Sequence, residues 1–177
     1  HYSSGIMHEH NHSRHAASLF DVSHMGQIIL SGSGIGAALE KLLPIDLQSM
    51  PIYQQQYALM TNAEGGIIDD LVVTRLADDN YFLVVNAARK EEDLNHLRTH
   101  LSAFTVEYMG DHTLIALQGP MAGQVMEKLS PMASHLTFMS SCHLSIGGAD
   151  CLVSRSGFTG EDGFEISFDQ AHARSLC

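Results

Sequence analysis

The sequence predicts an α+β fold. Runs with strand-like spacing and stretches with helical spacing mix without regular β-α-β order, which argues against a doubly wound parallel sheet. Turn-forming clusters separate the runs: NAEGG at 62–66, Asp78–Asp79–Asn80, and Gly147–Gly148. Apolar residues make up 45% of the 177 and charged residues 16%, the balance of a folded chain with a sizeable core.

The elements follow in order. The first 24 residues hold six of the twelve histidines, His1, His8, His10, His12, His15 and His24. No cysteines lie near HEHNH to support a metal site, so a solvated, irregular segment is expected there and no metal site. LFDVSHMGQIIL reads as a strand with a polar break at 21–24. Ile35, Leu39, Leu42 and Leu43 fall at helical spacing, and Pro44 stops that helix. YALMTN is a short strand that turns through NAEGG into IIDDLVVTRL, and YFLVVN is a buried strand ending at Asn86. Leu94, Leu97, Leu101 and Phe104 mark an amphipathic helix over 88–104. TLIALQG is a further strand, and Pro120 suits the first turn of a helix over 120–129. Short strands fill 137–168, broken by Gly147–Gly148 and the SGFTGEDG loop.

Composition narrows the function classes. With 9 basic against 20 acidic residues the formal net charge is −11, and no basic stripe is present to bind nucleic acid. No apolar run approaches the length of a membrane span. Cys142, Cys151 and Cys177 are too few and too scattered for a disulfide framework or a zinc knuckle, and a reducing compartment is expected. The chain opens at His1 rather than Met and stops at Cys177 where a helix is starting, so a fragment or processed chain is expected.

Two stretches carry candidate chemistry. GGIIDDL, 65–71, sets adjacent carboxylates in an apolar strand. Successive strand side chains point to opposite faces, which puts Ile68, Asp70 and Val72 on one face and Ile67, Asp69, Leu71 and Val73 on the other. The two acids cannot then work side by side. One faces a given pocket, and the other caps a turn or pairs with a basic residue. SGFTGEDGFEISF, 156–168, is a tight glycine-rich loop followed by Glu165 inside an apolar strand. Asp70 and Glu165, both in buried-looking positions, together with the strand-end Asn86 suggest one polar pocket in an apolar surround. A phosphate-binding loop is disfavoured because no Lys-Ser/Thr follows the glycines, and no GxSxG nucleophile occurs.

Taken together, HYSSGIMHEHNHSRHAASLFDVSHMGQIILSG, TNAEGGIIDDLVV, YFLVVNAA, ALQGP and SRSGFTGEDGFEIS resemble the aminomethyltransferase, or T-protein, family of the glycine cleavage system, in order and approximate spacing. The resemblance implies α+β subdomains of ferredoxin-like type, with mixed sheets, packed helices and tetrahydrofolate in a central hole. About 1–50 with 137–177 would form one subdomain and about 51–136 an inserted second one, with a C-terminal barrel part missing. It implies transfer of the methylene of the aminomethyl group on lipoylated H-protein to tetrahydrofolate, releasing ammonia and giving 5,10-methylenetetrahydrofolate, without metal or flavin. Asp70 takes the catalytic position. Met25, Tyr57, Val84, Asn86, Phe158 and Glu165 take folate-contacting ones, Phe158 standing where relatives often have Tyr. Bacterial cytoplasm is preferred over mitochondrial matrix as the compartment. A non-catalytic folate-binding module, or the folate domain of a dimethylglycine or sarcosine dehydrogenase relative, is the alternative. The dehydrogenases add a flavin domain of which this chain shows no trace.

Overall fold

The computed structural model describes residues 2–177. The chain divides into two compact units, His24–Gly110 and the segments on either side of it. Boundaries near 50 and 136 were the expectation, and sheet pairing accounts for the difference. The strand over Gly26–Ser31 pairs with strands later in the inner unit, which draws 24–50 into it. The strand over His112–Gln118 pairs with strands near both ends of the chain, which draws 111–136 into the outer one.

The outer unit begins with α1 (Ile6–His15) and β1 (Ser18–Asp21). Within the histidine-rich start, expected to be irregular, Ile6–His15 is thus helical. It carries no apolar stripe for periodicity to detect, and none of its residues is buried. Gly5 starts the helix at φ 89, and Arg14 ties it to a distant loop, donating from Nη1 to the Thr159 carbonyl (2.7 Å) and to Glu161 Oε1 (3.0 Å).

The inner unit holds β2 (Gly26–Ser31), α2 (Ile35–Leu39), β3 (Gln55–Thr61), β4 (Ile67–Ala77), β5 (Asn80–Val85), α3 (Lys90–His100) and β6 (Thr105–Tyr108). The run expected as one interrupted strand is therefore two, β1 and β2, and they belong to different sheets. The sheet order is β3-β4-β5-β2-β6, with β4 internal. One face alternates as strand geometry requires. Ile28 and Leu30, Met60, Leu71 and Val73, and Tyr81, Leu83 and Val85 point into a core closed by Ile35 and Leu39 of α2 and Leu94 and Leu97 of α3. Of the helix read from Ile35 to Leu43, only the first five residues are α-helical, yet Leu42 and Leu43 are still buried in that core.

The outer unit resumes with β7 (His112–Gln118), α4 (Ala122–Leu129), β8 (Ser141–Ile146), β9 (Ala149–Ser154), β10 (Gly163–Asp169) and a last turn of helix, α5 (Ala173–Leu176). Its sheet runs β1-β7-β10-β9-β8. Ile115, Leu117, Val153, Phe164, Ile166 and Phe168 pack with Ala122 and Met126 of α4 in the second core. Mixed sheets were expected, but every pairing in both sheets is antiparallel. The short links between β3, β4 and β5 and between β8 and β9 permit hairpins and no crossover.

The β3–β4 hairpin shows how local chemistry fixes the strand that carries the paired acids. Asn62 Oδ1 accepts from the Gly66 N–H (2.7 Å) and the Glu64 N–H (3.1 Å), and the Asn62 N–H donates to the Gly66 carbonyl (2.9 Å). Gly65 sits at φ 79 with open space where a Cβ would go. Gly65→Ala should therefore cost only the left-handed backbone, about 1 kcal/mol. Urea unfolding should show a lower midpoint with an unchanged slope.

Candidate active site

Asp69 and Asp70 lie just beyond a bulge in the hairpin. Thr61 stands opposite Ile67 and Met60 opposite Asp69, so Ile68 has no cross-strand partner of its own. The bulge breaks the alternation assumed from sequence, and Ile68 packs against the same core as Leu71 and Val73. From Asp69 onward the alternation holds. Asp69 follows Met60, Leu71 and Val73 toward the core face and is partly buried, whereas Asp70 pairs with Leu59 on the opposite face and is exposed. The sequence placed Asp70 in a buried-looking position; it lies instead on the sheet face away from the core and is exposed.

The face that carries Asp70 also carries Tyr57, Val72 and Val84, which form one cross-strand row. Tyr57 is 49% exposed beside buried Val72 and Val84. Asn86 follows directly on β5, and its amide nitrogen makes three contacts: Asp70 Oδ1 (3.1 Å), the Asp70 carbonyl (2.9 Å) and Asp69 Oδ1 (3.1 Å). All three partners are acceptors, which fixes the amide with its N–H groups toward the acids. Met25 lies at the bend before β2, whose first residue pairs with Val85. The inner unit thus gathers Asp70, Asn86, Tyr57 and Val84 at one end of one sheet face.

In the outer unit, β10 alternates cleanly. Phe164, Ile166 and Phe168 enter the core, and Glu165 points the other way between Ala116 and Ser154 on the neighbouring strands. Glu165 is only 8% exposed, and its Oε2 accepts a short bond from Ser156 Oγ (2.6 Å), which in turn meets Ser154 Oγ (2.8 Å). Burial raises the Glu165 carboxyl above the usual carboxylate range, and the Ser156 bond opposes that rise. The loop before it is pinned by Gln118. Gln118 Nε2 donates to the Ser156 carbonyl (2.9 Å), and Gln118 Oε1 accepts from Thr159 Oγ1 (2.8 Å). A Cβ on Gly157 or Gly163 would collide with this amide, which is why the loop needs glycine there. Phe158, at the loop tip, is 66% exposed.

Arg155 locks the other side of the loop. Its Nε and Nη2 donate to Asp162 Oδ1 and Oδ2 (2.8 and 2.7 Å), its Nη1 donates to the Leu136 carbonyl (2.8 Å), and its guanidinium lies over the Phe164 ring at 5.4 Å. Arg155 holds the Asp162 carboxyl below its ordinary range, so this contribution to stability is present above that range and is lost as pH falls through the lowered value. Arg155→Ala should cost about 2 kcal/mol. Arg155→Lys should recover little of it, because an ammonium cannot make the fork. Denaturant melts of the three proteins at neutral pH check this.

A family model, the GCVT N-terminal domain, matches residues 1–177. The chain belongs to the GCVT N-terminal domain family. Relatives include the aminomethyltransferase of Clostridium botulinum, 37% identical over 97% of this chain and 48% of that protein. The mitochondrial aminomethyltransferase of Dictyostelium discoideum is 37% identical over 99% of the chain and 46% of its own length. The crystal structure of glycine cleavage system aminomethyltransferase T from Bartonella henselae superimposes with a TM-score of 0.92 at 36% identity, over 99% of this chain and 48% of that one. A chain of heterotetrameric sarcosine oxidase from Corynebacterium shares the fold at 20% identity and a TM-score of 0.64. The GCVT N-terminal domain therefore spans about half the length of the curated relatives it matches.

Within this GCVT N-terminal domain, Asp70, Met25, Tyr57, Val84 and Asn86 fall in the inner unit, and Glu165 and Phe158 in the outer. Asp69, expected at a turn or beside a basic group, has Asn86 and the acid Asp93 of α3 as partners instead. Asp93 escaped the sequence reading, although it lies four residues before Leu97 and eight before Leu101, on the apolar stripe of α3. Arg155 and Gln118 left no such signal, since their partners come from a loop that folds back. Among the described residues no group of His, Cys, Asp or Glu is arranged to hold a metal ion, and no helix is long and apolar enough to cross a membrane.

Proposed function

We propose that the chain forms the tetrahydrofolate-binding part of an aminomethyltransferase that takes the aminomethyl group from lipoylated H-protein. The products are ammonia, 5,10-methylenetetrahydrofolate and a dihydrolipoyl arm. The observation that carries the reading is the Asn86 amide bound to an exposed Asp70, in a chain whose relatives are aminomethyltransferases.

The chemistry suits a carboxylate at that place. As the methylene carbon parts from ammonia and bonds to folate nitrogen, positive charge develops on carbon and nitrogen. Asp70, oriented by Asn86, stabilises that charge and accepts a proton from the folate amine. An exposed carboxylate is screened by water, so its field gains strength only when the reactants displace that water. Glu165 has a different task. Its carboxylate accepts two N–H donors of the pterin ring side by side, with the Ser156 hydroxyl holding it in line. Tyr57, Val84, Met25 and Phe158 supply apolar contact to the folate. The compartment follows the organism: cytoplasm in a bacterium, mitochondrial matrix in a eukaryote, with the bacterial cytoplasm preferred.

Calorimetric titration of the full-length protein with tetrahydrofolate tests the reading. Saturable one-to-one binding is expected, and no detectable heat at millimolar folate would overturn it.

A further inference from the structure

We propose that Asp69 and Asp93 share a proton behind the strand carrying Asp70, and that this carboxyl pair positions Asp70 through the Asn86 amide. The second half rests on the reading of Asp70 given above; the first half stands without it.

Asp93 is fully buried on α3, at 0% exposure, and Asp69 faces it from the core side of β4. Counted as two carboxylates, the pair would leave Asp93 Oδ1, Asp93 Oδ2 and Asp69 Oδ2 buried without any donor. Three orphaned acceptors and two like charges in one dry place would be heavily destabilising. One proton between the two groups removes a charge and turns an acceptor into a donor, which satisfies the contact. Burial, and then the hydrogen bond and charge of Asp69, raise the Asp93 carboxyl to about 7.

The charged neighbours do not supply another solution. Arg89, just before α3, favours the ionised form of Asp93, but its Nη groups are engaged by Glu92 (2.8 Å) and by the Ile68 carbonyl (3.1 Å), and its buried Nε makes a hydrogen bond to neither acid. Glu92 acts in the opposite sense. Lys90 reaches the His24 carbonyl instead. His96, one turn further along α3, is pushed toward its neutral form by burial and by His100, so it offers no compensating charge. On the other face of β4, Asp70 adds only negative charge.

The pair then acts through one amide. A single proton leaves Asp69 a carboxylate fixed from behind, and its Oδ1 receives the Asn86 amide at 3.1 Å. The same nitrogen holds Asp70 Oδ1 at 3.1 Å. Loss of the shared proton puts two charges in the core, displaces Asp69 and releases the amide that orients Asp70. Asp69 and Asp93 touch no reactant and are positioning residues.

The sign of the pH effect follows. Asp93 keeps its proton in the folded protein up to about 7 and in the unfolded chain only to its ordinary 3.8. The associated stability is complete below the lower value and is lost as pH rises through the higher one. The experiment uses the full-length protein, Asp93→Asn, which keeps an N–H donor without a charge, and Asp93→Leu, which keeps neither. Thermal midpoints should fall with rising pH between 3.8 and about 7 in the parent and level off above, and both variants that fold should lack that fall. A parent curve without that fall, or one retained in Asp93→Asn, overturns the shared proton. The kcat of the parent should decline on the alkaline side, about tenfold per pH unit once the proton is lost. In Asp93→Asn that decline should vanish, with neutral kcat within about threefold of the parent, whereas Asp93→Leu should lose about tenfold or more in kcat at unchanged folate affinity. Parent-like kcat profiles in Asp93→Asn overturn the positioning role even if Asp93→Leu fails to fold. A parent that transfers no aminomethyl group at all overturns the reading of Asp70 and the positioning role with it, while the thermal curves still decide the shared proton.

Discussion

Asp70→Asn in the full-length protein should lower turnover by about a hundredfold to a thousandfold, the usual effect of removing one group that stabilises transition-state charge. Tetrahydrofolate affinity should change little, because the proposed function assigns the binding to Glu165 and the apolar contacts. The substitution is nearly isosteric and sits on an exposed strand position, so the fold should survive. Asn at 70 still accepts a bond from the Asn86 amide but bears no negative charge. A large loss in kcat with an unchanged folate dissociation constant therefore isolates the charge itself. Steady-state kinetics beside calorimetry gives both quantities, and near-normal turnover in this variant would remove Asp70 from the mechanism.

Glu165→Gln should weaken tetrahydrofolate by about a hundredfold, the loss expected when two charge-assisted bonds become one neutral bond and one mismatched donor. The same change should leave the protein as stable as the parent at neutral pH or more so. Burial raises the Glu165 carboxyl, so the folded state favours its protonated form; that stability is lost as pH rises through the raised value, and a neutral amide avoids the loss. Binding should have the opposite pH dependence, since in the proposed role only the carboxylate accepts both pterin donors. Affinity should therefore fall as the medium is made acid enough to protonate Glu165. Calorimetric titrations and thermal melts on one pair of samples separate the two effects, and equal folate affinity in the variant would refute the role.

The α+β class was legible because the buried strands β4, β5, β7 and β10 and the helix α3 each show their own period. The two-unit organisation was not. β2 finds β5 and β6 through pairings that span tens of residues, and no glycine- or proline-rich linker marks the crossings near 23 and 110. α1 escaped because a fully solvated helix shows no periodicity. At the site, the strand rule separated Asp69 from Asp70 correctly, but Asp70 lies on the sheet face away from the core and is exposed rather than buried. Asp93 could have been found, since an acid in register with Leu97 and Leu101 demands a buried partner. The grip of Arg155 on Asp162, and of Gln118 on its loop, depends on a three-dimensional return of the chain that no local window contains.

The account rests on folate-dependent aminomethyl transfer, and the most direct measurement is ammonia release by the full-length protein from aminomethylated, lipoylated H-protein, with and without tetrahydrofolate. The account predicts rapid release only with tetrahydrofolate, matched one for one by 5,10-methylenetetrahydrofolate. Folate binding without folate-dependent ammonia release would contradict it and leave a binding module in place of an enzyme.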